Sequence, residues 1–130
     1  MIVLDASAAL EVLLRTPASA AIEERLFAPG ETLHAPHLID VEIAQVLRRY
    51  ARSGQASAER CEIALEDWAE FRVTRYAHEP LLARMWALRD NFTAYDAAYV
   101  ALAEGLEAPL LTRDARLARA PGHGASIVLA

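Results

Sequence analysis

The chain contains no lysine: all 13 of its basic residues are arginine. Any mechanism that needs a lysine amine is therefore excluded, although genome base composition explains an all-arginine chain as readily as phosphate recognition does. Cys61 is the only cysteine, so no intrachain disulfide and no cysteine-rich zinc site can be built. The four histidines, His34, His37, His78 and His123, lack a metal-ligand spacing, and most of them are expected at the surface or in turns. No apolar run approaches the roughly 20 residues that span a bilayer. The first residues form a strand ending in an acid and carry no basic leader. The expectation is a cytoplasmic protein without a membrane partner.

What is present suits one compact domain over residues 1–130, with 55% apolar residues to fill its core. The formal net charge of −5 argues at first against a nucleic-acid partner. Four acids singled out below account for most of that excess, and divalent ions bound among them would neutralise it where a phosphate binds.

Ile2, Val3 and Leu4 form a short apolar run rich in β-branched residues, as a strand buried on both faces requires. Asp5 follows at the carboxyl end of that strand, the edge at which open α/β sheets bind ligands. Asp5 is thus either a turn residue or a ligand. Ser7 is predicted to cap the helix that carries Leu10, Val12 and Leu13. Beyond Thr16-Pro17, residues Ala18 to Phe27 form a second amphipathic helix with Ile22 and Leu26 inward, and Thr32 to His34 a second strand.

A long helix is predicted from His37 to Arg52, with Ile39, Ile43, Val46, Leu47 and Tyr50 on its core face and Ser53-Gly54 closing it. Glu42 falls at the edge of that face, while Asp40 lies about 160° around the helix, so only one of the two can enter a given pocket. A glutamate there is either solvated or a ligand. Ser57 is predicted to cap a fourth helix carrying Cys61, Ile63, Ala64, Leu65, Trp68 and Phe71; Val73-Thr74 is a third strand, and Glu79-Pro80 starts a helix with Leu81, Leu82, Met85, Trp86 and Leu88.

The helix opened by Thr93 is apolar almost all round from Tyr95 to Ala103, apart from Asp96. Either Thr93 and Asp96 form a capping box, or the acid holds a cation; the two roles are compatible. Gly105 is predicted to end that helix. Pro109 to Thr112 then form a buried strand, followed at once by Arg113-Asp114, which repeats the opening pattern with a hydroxyl two residues from the acid. Asp114 is an N-cap of the short helix through Leu117, a ligand, or both. Ser126 to Leu129 are a last strand.

Asp5, Glu42, Asp96 and Asp114 are distant in sequence, yet each lies where the binding edge of an α/β sheet can gather it. Clustered carboxylates repel and raise one another's pKa values unless cations are present. Hard divalent ions, Mg²⁺ or Mn²⁺, one or two of them, are the partners that oxygen ligands select. Such a site suits metal-assisted hydrolysis of a phosphodiester. Ser7 and Thr112 are candidates to orient a water or a phosphate oxygen, and Arg113 to contact the substrate backbone. Substrate choice is expected to depend on groove shape and on arginines such as Arg15, Arg48, Arg49 and Arg113.

The segments Ile2 to Ser7, Val41-Glu42, Tyr95 to Ala103 and Leu111 to Leu117 together resemble the PIN-domain ribonucleases, in particular the VapC toxins of bacterial toxin–antitoxin pairs. The resemblance runs over nearly the whole chain, with four motifs in the right order. It implies an α/β fold, a three-layer α/β/α sandwich around a central parallel sheet, and Mg²⁺- or Mn²⁺-dependent cleavage of structured RNA. It also implies a homodimer and a VapB-like antitoxin that blocks the site, with DNA engaged only through that antitoxin. Position by position, Asp5, Glu42, Asp96 and Asp114 match the family's acidic ligands and Thr112 its hydroxyl residue. Some relatives carry a further acid shortly after the last aspartate, where this chain has Arg116.

Other phosphate chemistries fit less well. A haloacid-dehalogenase-like phosphatase would need Asp-x-Asp after the first strand, where this chain has Asp5-Ala6-Ser7. A receiver domain would need a late lysine, and no Walker-type glycine-rich loop is present. The alternative from another class is a catalytically idle PIN-like binding module held by a partner protein.

Overall fold

The computed structural model describes residues 1–130. Its centre is the strand β1 (Ile2–Leu4), whose three residues are all buried. On one side β1 pairs with β2 (Leu33–Pro36), and β2 with the edge strand β3 (Val73–Tyr76); on the other it pairs with β4 (Leu110–Thr112), which pairs with β5 (Ile127–Leu129). Every pairing is parallel, and the order is β3-β2-β1-β4-β5. The chain leaves β1 towards β2 and β3, then returns to place β4 on the other side. The gap at the carboxyl ends of β1 and β4 is therefore the topological switch point, where such sheets bind ligands.

Helices cover both faces. α1 (Ala6–Leu13) packs with α2 (Ser19–Leu26), α3 (Leu38–Ser53) and α4 (Ala58–Glu70). The other layer holds α5 (Leu82–Ala87) and α6 (Ala94–Leu106), with α6 lying across β1, β2 and β4, and α7 (Ala115–Arg119) resting on β4 and β5. This is the expected three-layer sandwich. Its core is one continuous apolar cluster, with Leu4, Leu13, Ile39, Ile43, Leu47, Val100, Leu110 and Leu111 wholly enclosed. No helix is long and apolar enough to cross a membrane.

Helix signals in the sequence hold where they are local. Ser57 Oγ accepts the Arg60 amide at the start of α4, Thr93 Oγ1 accepts the Asp96 amide at the start of α6, and Gly54 closes α3 at φ 79°. Other expectations need correction. Ser7 is not a cap: α1 begins at Ala6, Asp5 is its N-cap residue, and its first amides are taken by the Asp5 carbonyl rather than by a side chain. Gly105 lies inside α6, because Leu106 still packs on the core, and Glu107 makes the left-handed turn at φ 52°. The segment after Glu79-Pro80 is a 3₁₀ turn, Glu79–Leu81, leading into the short α5, from which Leu82 and Trp86 project into solvent. α4 packs through Cys61, Ala64 and Trp68 only, leaving Ile63 and Leu65 exposed. His34 is not a surface residue: it is buried in β2, with Thr32 Oγ1 2.8 Å from Nε2 and Tyr76 Oη 2.7 Å from Nδ1.

Candidate active site

The register of β1 on β4 pairs Val3 with Leu110 and Leu4 with Leu111, which brings Asp5 beside Thr112 one step further on. The Asp5 amide continues the ladder to the Leu111 carbonyl at 3.0 Å. Past this point the strands splay into α1 and α7, and side chains gather over the gap. Asp5 Oδ2 accepts two hydroxyl protons, from Ser7 at 2.6 Å and from Thr112 at 2.7 Å. The same hydroxyls accept backbone amides from the loop after β4: Arg113 N–H on Ser7 at 2.9 Å and Asp114 N–H on Thr112 at 3.0 Å. Two hydroxyls thus tie the end of β1 to the end of β4.

This pattern revises the expected roles of Ser7 and Thr112. Thr112 is 0% exposed and its proton goes to Asp5, so it positions the carboxylate and does not touch a substrate. Ser7 lines the pocket, but its proton is likewise committed to Asp5.

Each of the remaining acids comes from a different element. Glu42 on α3 accepts the Tyr99 hydroxyl on Oε1 at 2.6 Å. Asp96, in the first turn of α6, forms only half of a capping box: its amide goes to Thr93 Oγ1, but its carboxylate takes no bond from the residue 93 amide and lies near both the Thr93 hydroxyl and Arg116. Asp114 caps α7, its Oδ1 accepting the amides of Arg116 at 2.9 Å and Leu117 at 3.3 Å. Asp40 is elsewhere, bonded to Arg75 and to the Trp68 indole. Asp5, Glu42, Asp96 and Asp114, together with Ser7 and Arg113, line one pocket of about 550 Å³.

In Asp5 and Glu42 one carboxylate oxygen takes the side-chain hydrogen bonds and the other takes none, while Asp114 gives Oδ1 to the α7 amides and keeps Oδ2 3.7 Å from the Arg116 guanidinium. No buried side-chain polar atom lacks a partner anywhere in the chain, so an oxygen without a hydrogen bond is open to solvent, and all three acids line the pocket. The electrostatics carry the mark of this crowding. Burial pushes the Asp5 carboxyl above its ordinary range, opposed by the hydrogen bonds from Ser7 and Thr112. Glu42 is raised by desolvation and by Asp5 and Asp96, against the Tyr99 hydrogen bond. Asp96 is raised by desolvation and then by Asp5, with Arg116 pulling the other way. Three carboxylates are therefore held in a setting that penalises their own charge, as an all-oxygen set that lacks a counter-ion must be.

The donor set fits a hard divalent cation in its chemistry: all oxygen, all anionic, with one wet oxygen per residue. The side chains are not drawn in to coordination distance, and no group of three or more histidine, cysteine, aspartate or glutamate residues is close enough to hold an ion as it stands.

Arg113 differs from expectation. Its Nε lies 3.3 Å from Glu11 Oε1 and its Nη1 donates to the Ala130 carbonyl at 2.5 Å, so a substrate contact would have to displace these bonds. Two residues at the site were not anticipated. Tyr99 is fully buried, three residues after Asp96 on the same face of α6, and its burial near Glu42 and Asp5 pushes its phenol far above the ordinary value. A buried tyrosine needs a hydroxyl partner, and that need was its only signal in the sequence. Gln55 was the other, while Arg116, which the sequence already places where some relatives carry a further acid, lies beside Asp96 and Asp114. Tyr50, Arg49 and Gln55 line the pocket and continue into a second, open one of about 550 Å³ with Arg48, Arg52 and Ser53.

Comparison with known proteins agrees with this architecture. The PIN domain family model matches residues 2–123. Ribonuclease VapC12 of Mycobacterium tuberculosis is 45% identical over 129 residues, covering 99% of this chain and 98% of the relative. Ribonuclease VapC9 of the same species is 47% identical over 117 residues, covering 90% and 88%. In fold, the chain is similar to one in the crystal structure of VapBC2 from Rickettsia felis bound to a DNA fragment from their promoter: TM-score 0.72, 16% identity, 99% and 98% covered. The chain belongs to the PIN domain family and, within it, to the VapC-type ribonucleases.

Proposed function

We propose that this protein is a divalent-metal-dependent endoribonuclease that hydrolyses phosphodiester bonds in structured RNA, acting as the toxin of a toxin–antitoxin pair. The observation that carries this reading is the set of four acids that line one pocket at the switch point, three of them with one oxygen hydrogen-bonded into the fold. The VapC names of the relatives support the ribonuclease class.

Asp5, Glu42, Asp96 and Asp114 would hold Mg²⁺ or Mn²⁺, which supplies an activated water and neutralises charge on the phosphodiester. The chain's own residues do the positioning. Ser7 and Thr112 fix Asp5 in one rotamer, Tyr99 fixes Glu42, and the α7 amides fix Asp114. Arg48, Arg49 and Arg52 enter none of the ion pairs in the structure. They border the acid pocket, so they supply a cationic path for the RNA backbone despite the net negative charge.

Residues 1–130 would act as one domain, in the cytoplasm. The partners would be a VapB-like antitoxin, as in the VapBC2 complex, and a second copy of the chain. Val41, Leu82, Trp86 and Tyr95 supply exposed apolar surface for such contacts. DNA would be engaged only through the antitoxin.

The test is to purify the chain free of partner and incubate it with total RNA in Mg²⁺, Mn²⁺ or EDTA. Cleavage should need the ion and vanish in Asp5→Asn and Asp96→Asn. Cleavage that is absent, or indifferent to EDTA and to both substitutions, leaves a binding module and sinks the hydrolase reading. For the toxin role, expression with and without the neighbouring small reading frame should differ in growth; equal growth counts against it.

A further inference from the structure

Arg116 stands two residues after Asp114, in the first turn of α7. Its Nη2 lies 3.6 Å from Asp96 Oδ2 and 3.7 Å from Asp114 Oδ2. Both distances exceed those of a hydrogen bond, so the guanidinium is shared as a charge between the two acids rather than locked to either. The side chain is 76% exposed and makes no hydrogen bond of its own. Its backbone amide, by contrast, is fixed by Asp114 Oδ1. A cation is thus anchored at its base, free at its tip, and aimed at two of the four acids.

The consequence is an asymmetric site. Asp5 and Glu42 face the pocket with no cationic partner, whereas Asp96 and Asp114 already share a unit positive charge. A divalent ion entering on the Asp5 and Glu42 side gains the attraction of uncompensated carboxylates. A second ion on the Asp96 and Asp114 side meets the guanidinium. Exposed ion pairs of this kind are weak and readily exchanged, so an RNA phosphate can draw the arginine away at little cost.

We propose, on the basis of the metal-dependent reading above, that Arg116 is the second positive charge of the site: it limits the four carboxylates to one tightly held divalent cation and turns to the RNA phosphate when substrate enters.

The test uses the full chain without RNA and follows uptake of Mn²⁺ alone, by calorimetry and by the spin-resonance signal of free Mn²⁺. The wild type should take up one tight ion per chain. Arg116→Gln should take up a second, at least tenfold more tightly than any second ion on the wild type, and Arg116→Lys should restore the wild-type stoichiometry because it keeps the charge. A second arm measures RNA affinity against salt in an Asp5→Asn background, where RNA is bound but not cut. Adding Arg116→Gln should lower the slope of log affinity on log salt by about 0.7, one phosphate contact. Circular dichroism of each variant checks folding, which the exposed side chain does not support. Wild type and Arg116→Gln with the same Mn²⁺ stoichiometry and affinity overturn the inference alone, as does an unchanged salt slope for the phosphate contact. A wild-type chain that takes up no Mn²⁺ overturns the metal-dependent reading and the inference with it.

Discussion

Replacing Tyr99 with phenylalanine isolates one bond at the centre of the site. The ring is wholly buried and phenylalanine keeps its shape, so packing against the core is retained. What is lost is the 2.6 Å hydrogen bond to Glu42 Oε1, the only side-chain bond that Glu42 makes. A hydrogen bond to a charged group contributes about 1.5–3 kcal/mol, and water reaching the half-buried Glu42 places this one at the lower end, about 1.5 kcal/mol. For a domain of this size that corresponds to a fall in Tm of about 5 °C in EDTA at pH 7.5. The pH dependence has a definite sign. Glu42 already has a raised folded pKa, from desolvation first and then from Asp5 and Asp96, and removing Tyr99 takes away the bond that lowers it. A raised carboxyl pKa means that folded stability is lost as pH climbs from the unfolded value through the folded one. The gap between Tyr99→Phe and wild type should therefore be small near pH 4 and widen towards neutrality. Mn²⁺ affinity should fall as well, most of all in mild acid, where the proton on Glu42 competes. A variant that melts within 1 °C of wild type at pH 7.5, or a gap that narrows as pH rises, refutes the assignment of Tyr99 as the group that holds Glu42.

Asp5→Asn should abolish cleavage yet raise the Tm of the metal-free protein at pH 7.5, because the amide oxygen can keep both hydroxyl bonds while the buried charge disappears. That gain should shrink as pH falls through the raised Asp5 pKa, because the wild-type carboxyl then loses its charge as well; thermal melts across the acid range check it. Asp40→Asn should cost about 1 kcal/mol through the partly exposed Arg75 pair and the Trp68 bond. Its cleavage rate per folded molecule should stay within about twofold, since Asp40 lies outside the acid pocket. The double variant Arg49→Ala, Arg52→Ala should weaken RNA binding and flatten its salt dependence by roughly 1.4 in slope, two phosphate contacts; filter binding at several salt concentrations tests this.

The parts of the fold that the sequence disclosed are those written locally. A buried strand ending in an acid, at Leu4-Asp5 and again at Thr112-Arg113-Asp114, announces the carboxyl edge of a parallel sheet within a few residues. Ser57 and Thr93 disclose their helix starts in the same way. The hidden parts depend on residues far apart. Ser7 has the composition of a cap, but β4 arrives beside it and takes its hydroxyl for Asp5 and the Arg113 amide. Leu82, Trp86, Ile63 and Leu65 are as apolar as core residues, and only the placement of α5 and α4 at the rim leaves them in solvent. His34 resembles a polar strand end until β3 brings Tyr76 over it. Asp5, Asp96 and Asp114 were legible as candidates because each ends or breaks an apolar run, and Glu42 because it borders the core face of a long helix. The role of Tyr99 was not, since it fits its apolar pattern, and Arg116 was visible only as the residue standing where some relatives carry a further acid.

The capping role and the ligand role of these acids, which compete when the sequence is considered alone, turn out to use different oxygens. Asp114 offers Oδ1 to the α7 amides and Oδ2 to Arg116. Asp5 offers Oδ2 to the two hydroxyls, and Glu42 offers Oε1 to Tyr99. Dividing each carboxylate in this way fixes the direction of the free oxygen without consuming it, which a carboxylate on a solvated side chain could not achieve. The hydrogen bonds that orient Asp5 and Glu42 are also the ones that oppose the desolvation of their charge. Loss of an orienting bond should therefore disturb geometry and charge together, so conservative substitutions at Thr112 and Tyr99, neither of which reaches the substrate, should impair the site more than their distance from it suggests.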